Sequence, residues 1–173
     1  AQLSDRVPGM SWVFADVLAA PSRASFVPLV GDIDGDGVAD IVIADAAPDS
    51  HGLFWYKGGA DETSFGSRRG ISSTSLGSVK DAALIDVGDN GDLDVAFLIS
   101  GDVEVYVNQG EVQPTFLLGA ALATGLTNAE RLYAADVDDD SLTDLVVVIS
   151  ASHTIALLRN TGGGVFAETS ITI

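Results

Sequence analysis

Apolar stretches just long enough for single strands recur along the whole chain, separated by segments rich in glycine and aspartate. Leu53-Phe-Trp-Tyr-Lys57, Val103-Glu-Val-Tyr-Val107 and Thr154-Ile-Ala-Leu-Leu158 read as alternating strands, whose successive side chains point to opposite faces. Ile41-Val-Ile43, Val95-Ala-Phe-Leu-Ile99 and Leu145-Val-Val-Val-Ile149 are continuous β-branched and apolar runs, the pattern of buried strands. A further strand precedes each of these runs, at Phe26 to Gly31, Asp81 to Ile85 and Arg131 to Ala135. The one stretch with any helical character is Ala120 to Ala129, where a turn or two is expected and Gly119 and Gly125 weaken it. The pattern predicts an all-β protein.

The strands are periodic. Phe14, Phe65, Phe116 and Phe166 lie 51, 51 and 50 residues apart, and three aspartate-rich loops open 54 and 50 residues apart, at Asp32, Asp86 and Asp136. Each unit then has one order: a Phe strand, a variable stretch, an apolar strand into the loop, an apolar strand out of it and an alternating strand. Turn-forming triplets close the units at Lys57-Gly-Gly59, Asn108-Gln-Gly110 and Asn160-Thr-Gly162. Four short strands in such a unit describe a propeller blade. Residues 1–173 are therefore expected to form one β-propeller segment with about three four-stranded blades, repeating over 12–63, 64–114 and 115–164. By the same phase, 165–173 is the first strand of a further unit.

The loops carry the candidate chemistry. Asp32-Ile-Asp-Gly-Asp-Gly-Val-Ala-Asp40 sets carboxylates at alternate positions, as a hard cation with about 6–8 oxygen ligands requires. Its ligands would be the side chains of Asp32, Asp34, Asp36 and Asp40 with the carbonyl of Val38. Gly37 sits where the loop must turn sharply. An EF-hand needs an acid at the twelfth loop position, where these loops have Ile43, Phe97 and Val147, so that reading fails. The second loop, Asp86 to Asp94, offers Asp86, Asn90, Asp92 and Asp94, but has Gly88 at the third position, where Asp89 and Asn90 compensate only in part. The third offers Asp136, Asp138, Asp140 and Asp144 with the carbonyl of Leu142, and has Ser141 in place of the turn glycine. Acidic turns without metal are the plain alternative, but carboxylates so crowded repel each other unless a cation neutralises them. Calcium is the expected ion.

Composition narrows the function classes. More than half of the 25 acidic residues belong to the three loops, so the net charge of −17 is largely a property of the sites. That charge argues against nucleic acid and against anionic membranes as partners, and no apolar run is long enough to span a bilayer. Cysteine is absent, which excludes a disulfide framework without deciding the compartment. Loops of this kind fill where calcium is plentiful, so an extracellular or cell-surface location is expected. No serine elbow, cysteine nucleophile or phosphate loop is present, and carboxylates that ligate calcium are poor general acids.

Phe, then Asp-x-Asp-x-Asp-Gly-x-x-Asp with an apolar strand, then Val-x-Val-Tyr-Val-Asn-x-Gly resembles the FG-GAP / VCBS repeat family of integrin α-subunits and exported microbial proteins. The resemblance runs from about Trp12 to the C-terminus and departs at Gly88 and Ser141. It implies propellers of six to eight blades, with calcium between the first two strands of a blade. Three blades do not close such a ring, so further chain or other copies are expected to complete it. The expected function is a non-enzymatic, calcium-stabilised extracellular scaffold for protein interaction, adhesion or assembly. A carbohydrate-binding lectin with glycan ligands is the alternative, and an accessory part of a larger secreted enzyme is a third reading. Three smaller features are weighed beside these. One of the adjacent Trp55 and Tyr56 is expected in the core, His51 and His153 are expected as solvated turn residues, and Arg68-Arg69 is expected to make salt bridges.

Overall fold

Strands joined by tight glycine- and aspartate-rich turns pair with their chain neighbours, because the shortest loop costs least to close. In the computed structural model, which describes residues 26–45, 52–59, 64–71, 79–110 and 113–173, this gives three four-stranded antiparallel sheets. Sheet one holds β1 (Phe26–Gly31), β2 (Asp40–Asp45), β3 (Gly52–Tyr56) and β4 (Arg69–Gly70). Sheet two holds β5 (Val79–Ile85), β6 (Asp94–Ile99), β7 (Asp102–Asn108) and β8 (Phe116–Leu118). Sheet three holds β9 (Arg131–Ala135), β10 (Asp144–Ile149), β11 (Thr154–Asn160) and β12 (Phe166–Thr172). Within every sheet the strands lie in chain order, the arrangement of propeller blades. The first strands are neighbours from sheet to sheet, β1 against β5 and β5 against β9.

Among the described residues the expected strands are found except at Phe65, which makes only an isolated bridge while Arg69–Gly70 supplies the fourth strand, and the boundary between units moves by one strand. Phe166–Thr172 pairs antiparallel with Thr154–Asn160, so it is the last strand of sheet three rather than the first of a further unit. Phe116 likewise pairs with Asn108 in sheet two, and Phe65 bridges Gly58 beside sheet one. The cause is local: each turn triplet folds the chain straight back, with Gly66 N donating to Lys57 O, Gln109 N to Thr115 O and Thr161 N to Val165 O. Phe14 and the start of the first predicted repeat lie outside the described residues.

Side-chain alternation divides the core in two. On β6, Val95 and Phe97 face sheet one and pack with Ile33, Val42, Leu53 and Trp55. Their neighbours Ala96 and Leu98 face sheet three and pack with Leu132, Leu145, Val147 and Leu158. Both faces of sheet two are thus covered, which is why β6 reads as an unbroken apolar run. The segment 119–130 forms no α-helix; it crosses from sheet two to sheet three as a loop that buries Ala123, Leu126 and Ala129 in the second core. Gly125 takes φ 76° and Asn128 φ 64°, conformations that a helix does not admit. Apolar side chains are left on the outer sheets, with Val30 67% exposed on sheet one and Tyr133 54% and Ile171 49% exposed on sheet three. Among the described residues no helix is long and apolar enough to cross a membrane.

Candidate metal centre

Each aspartate loop joins the first strand of its sheet to the second, and each ends on an acid buried at the first residue of that second strand. The register is the same three times, Gly31 opposite Asp40, Ile85 opposite Asp94 and Ala135 opposite Asp144. The buried acid ties the loop to the end of the third strand. Asp40 accepts from Ile33 N at 3.0 Å and Gly58 N at 2.7 Å, Asp94 from Val87 N at 2.8 Å and Asn108 N at 2.7 Å, and Asp144 from Val137 N at 2.9 Å and Asn160 N at 2.8 Å. Gly58 has no room for a side chain here, since a Cβ would lie 2.3 Å from Ala39 O.

The opening acid curls the loop. Asp32 accepts from the amides of Asp36 and Gly37, Asp86 from those of Asn90 and Gly91, and Asp136 from those of Asp140 and Ser141. The fifth residue closes a smaller turn, with Val38 N on Asp36, Asp92 N on Asn90 and Leu142 N on Asp140, each at 2.8–3.0 Å. One hydrogen-bond scheme therefore shapes all three loops, including the second, where Gly88 breaks the acid pattern. Ser141 holds φ 72° at the position where Gly37 and Gly91 hold 85° and 87°, so the serine follows the glycine path.

What the loops can ligate differs. Asp32, Asp34 and Asp40 bring carboxylate oxygens within 4.8 Å of one another, and so do Asp136, Asp138 and Asp144. Among the described residues the second loop forms no such group, because Gly88 stands where Asp34 and Asp138 supply the third acid. The Asp34 side chain is fully buried, and its Oδ1 has no hydrogen-bond partner among the described residues. A buried carboxylate oxygen without a donor is costly, and a cation among Asp32, Asp34 and Asp40 removes that cost. The donor set, all oxygen, suits calcium or magnesium better than a transition metal.

No protein-family model matches the chain, and no curated protein matches it in sequence. Among solved structures it is similar to an Agrocybe aegerita lectin described as recognising non-reducing terminal N-acetylglucosamine, with TM-score 0.55 and 18% identity over 86% of this chain and 38% of that one. It is also similar to BBS1N in complex with ARL6DN, with TM-score 0.53 and 19% identity over 88% of this chain and 44% of that one. Likeness at such identity carries the fold, and this chain spans less than half the length of either protein.

Charge is balanced differently at the three loops. Lys57 Nζ, at the end of the third strand of sheet one, bonds both Asp34 and Asp36. Its ammonium is held well above its usual pKa by Asp34 first and Asp36 second, and Lys57 with the Val38 amide lowers that of Asp36. Arg159 Nη1 reaches Asp138 at 3.4 Å in sheet three. In the second loop, burial pushes the Asp94 carboxyl up to about 6, the amides of Val87 and Asn108 oppose the rise, and the charges of Asp86 and Asp92 add to it.

The remaining sequence candidates settle into ordinary roles. Trp55 is buried in the first core and Tyr56 half-buried on the opposite face. Arg68 lies over the Phe54 ring at 4.3 Å and Arg69 over the Trp55 ring at 5.1 Å, so this pair engages aromatic faces, where salt bridges were expected. His153 is exposed in a turn, and His51 lies outside the described residues. Sequence reading missed Lys57, Arg159 and Asn108 as partners of the loops. All three stand where the third strand ends, immediately before or at the turn triplet, far along the chain from the loop residues they meet.

Proposed function

We propose that the chain is a non-enzymatic, calcium-stabilised β-propeller segment that serves outside the cell or at its surface as a scaffold for protein interaction, adhesion or assembly. Its main support is the fully buried Asp34 carboxylate, whose Oδ1 lacks a partner beside Asp32 and Asp40. Calcium bound there joins the first and second strands of a blade and, through Asp40 and Gly58, the third. Because the folded loop binds the ion and the unfolded chain does not, stability rises with free calcium. The apolar faces of sheets one and three are suited to other blades, supplied by further chain or by other copies. Titration of the purified chain with calcium by calorimetry, alongside melting in EDTA, tests the reading. Heat of binding and a higher melting temperature are expected, and the absence of both overturns it.

Glycan binding is the second reading, favoured by the similarity to a lectin. A cavity of about 370 Å³ beside the first loop is lined by Lys57, Ser64, Phe65, Ser67 and Arg69. It offers an exposed aromatic ring, the Arg69 guanidinium and two hydroxyls, a set suited to a sugar. A glycan array without hits counts against it.

A further inference from the structure

The three repeats act as an internal alignment, and two positions change together across them. The Gly58, Asn108 and Asn160 amides all donate to the closing acid of their loop, so these residues are equivalent and so are Lys57, Val107 and Arg159 just before them. In the loops, Asp34, Gly88 and Asp138 are equivalent third positions. Where the loop has an acid, the strand has a base and the two are in contact, Lys57 with Asp34 and Arg159 with Asp138. Where the loop has Gly88, the strand has Val107.

We propose that Lys57 and Arg159 are tethered counter-cations of the third loop carboxylate, which hold loops one and three together without metal and compete by charge with a divalent cation that enters. The proposal rests on the calcium reading of these loops.

The geometry carries it in three steps. Lys57 Nζ bridges Asp34 Oδ2 and Asp36 Oδ2, so the ammonium sits against Asp34, an acid of the group that would hold the metal, and the two cations compete for its charge. Its single positive charge satisfies Asp34 Oδ2 and leaves buried Oδ1 without a partner, so the site is only partly neutralised. A divalent ion among Asp32, Asp34 and Asp40 adds a second charge and reaches that oxygen, and repulsion between it and the adjacent ammonium weakens the hold of each on the loop. Arg159 makes one longer contact, and its side chain is 52% exposed, so it is the weaker competitor. The second loop, without the acid, needs no such partner, and an aliphatic residue stands there. The pairing separates two jobs: the base keeps a loop folded when calcium is scarce, and it raises the calcium concentration needed to fill the loop.

The test uses the purified chain and calcium alone, in three variants. Lys57→Met is expected to bind calcium about tenfold more tightly than wild type, since a competing charge in contact with the ligands is gone. In EDTA the same variant is expected to melt lower. The double variant Asp34→Gly/Lys57→Val, which copies the second loop, is expected to regain most of that loss. Arg159→Leu is expected to tighten binding at the third loop by a smaller factor, and it serves as the second measure if Lys57→Met does not fold. Calcium binding in wild type that is unchanged or weaker in both Lys57→Met and Arg159→Leu overturns the proposal and leaves the calcium reading standing. Absence of calcium binding in wild type and in every variant overturns both.

Discussion

The side-chain amide of Asn108 donates to the backbone carbonyl of Ile33 at 2.8 Å, tying the end of the third strand of one blade to the aspartate loop of the blade before it. The same amide reaches Leu93 O at 3.3 Å, and its carbonyl accepts from Gly110 N at 3.1 Å. Ile33 and Asn108 are both buried, so neither group has water to fall back on. Asn108→Ala is expected to destabilise the fold by about 1–3 kcal/mol, the cost of stranding a buried carbonyl. Urea unfolding of variant and wild type at equal calcium measures it.

Calcium at about a hundredfold over its dissociation constant is expected to add about 2.7 kcal/mol, a rise in melting temperature of roughly 5–10 °C. Asp36→Ala removes an expected ligand of the first loop, one that stands outside the group of Asp32, Asp34 and Asp40, and should weaken binding there, while Asp86→Asn in the second loop should cost less calcium affinity, because that loop lacks the third acid. Calorimetric titration of each variant separates them, and equal affinity in Asp36→Ala would move the site elsewhere.

Asp94 makes stability depend on pH when metal is absent. Its folded pKa, about 6, lies above the ordinary value of 3.8, so between those values the folded state keeps a proton that the unfolded chain has released. The contribution is therefore fully present below about pH 4 and lost as the pH rises through 6, on the order of 3 kcal/mol at most. Denaturant melts in EDTA across this window should show that fall.

Ser141 occupies a left-handed conformation, φ 72°, that L-residues other than glycine enter at a cost. Ser141→Gly is expected to stabilise the fold by about 1 kcal/mol, and Gly37→Ala to destabilise it by a similar amount. Paired thermal melts in EDTA keep metal affinity out of the comparison.

Much of this architecture was legible in the amino-acid order. Val95 to Ile99 announced a strand covered on both faces, because packing between two sheets leaves no polar position, whereas the like runs Ile41 to Ile43 and Leu145 to Ile149 lie in the outer sheets with Ile41, Val146 and Val148 only partly buried, and the loop acids announced themselves by alternation. The segment from Ala120 to Ala129 was less legible, since Ala123, Leu126 and Ala129 are spaced as on a helix but are buried from a loop, a consequence of the core they plug. Arg68 and Arg69 were read as partners for acids, yet Phe54 and Trp55 lie one strand away and take them.

By itself the sequence determined the length of the repeat, the strands within it and the nine residues of each loop, because these depend on side-chain period and on local turn chemistry. It did not determine where a blade begins. A repeat has a period but no origin, so Phe116 and Phe166 are equally good as a first strand or a last one until hydrogen bonds are made, and only the pairing with β7 and β11 decided it. The partners of the loops were likewise a tertiary matter. Lys57 lies 23 residues from Asp34 and Asn108 lies 75 from Ile33, distances along the chain that no local pattern spans and that sheet pairing and blade stacking bring within a hydrogen bond.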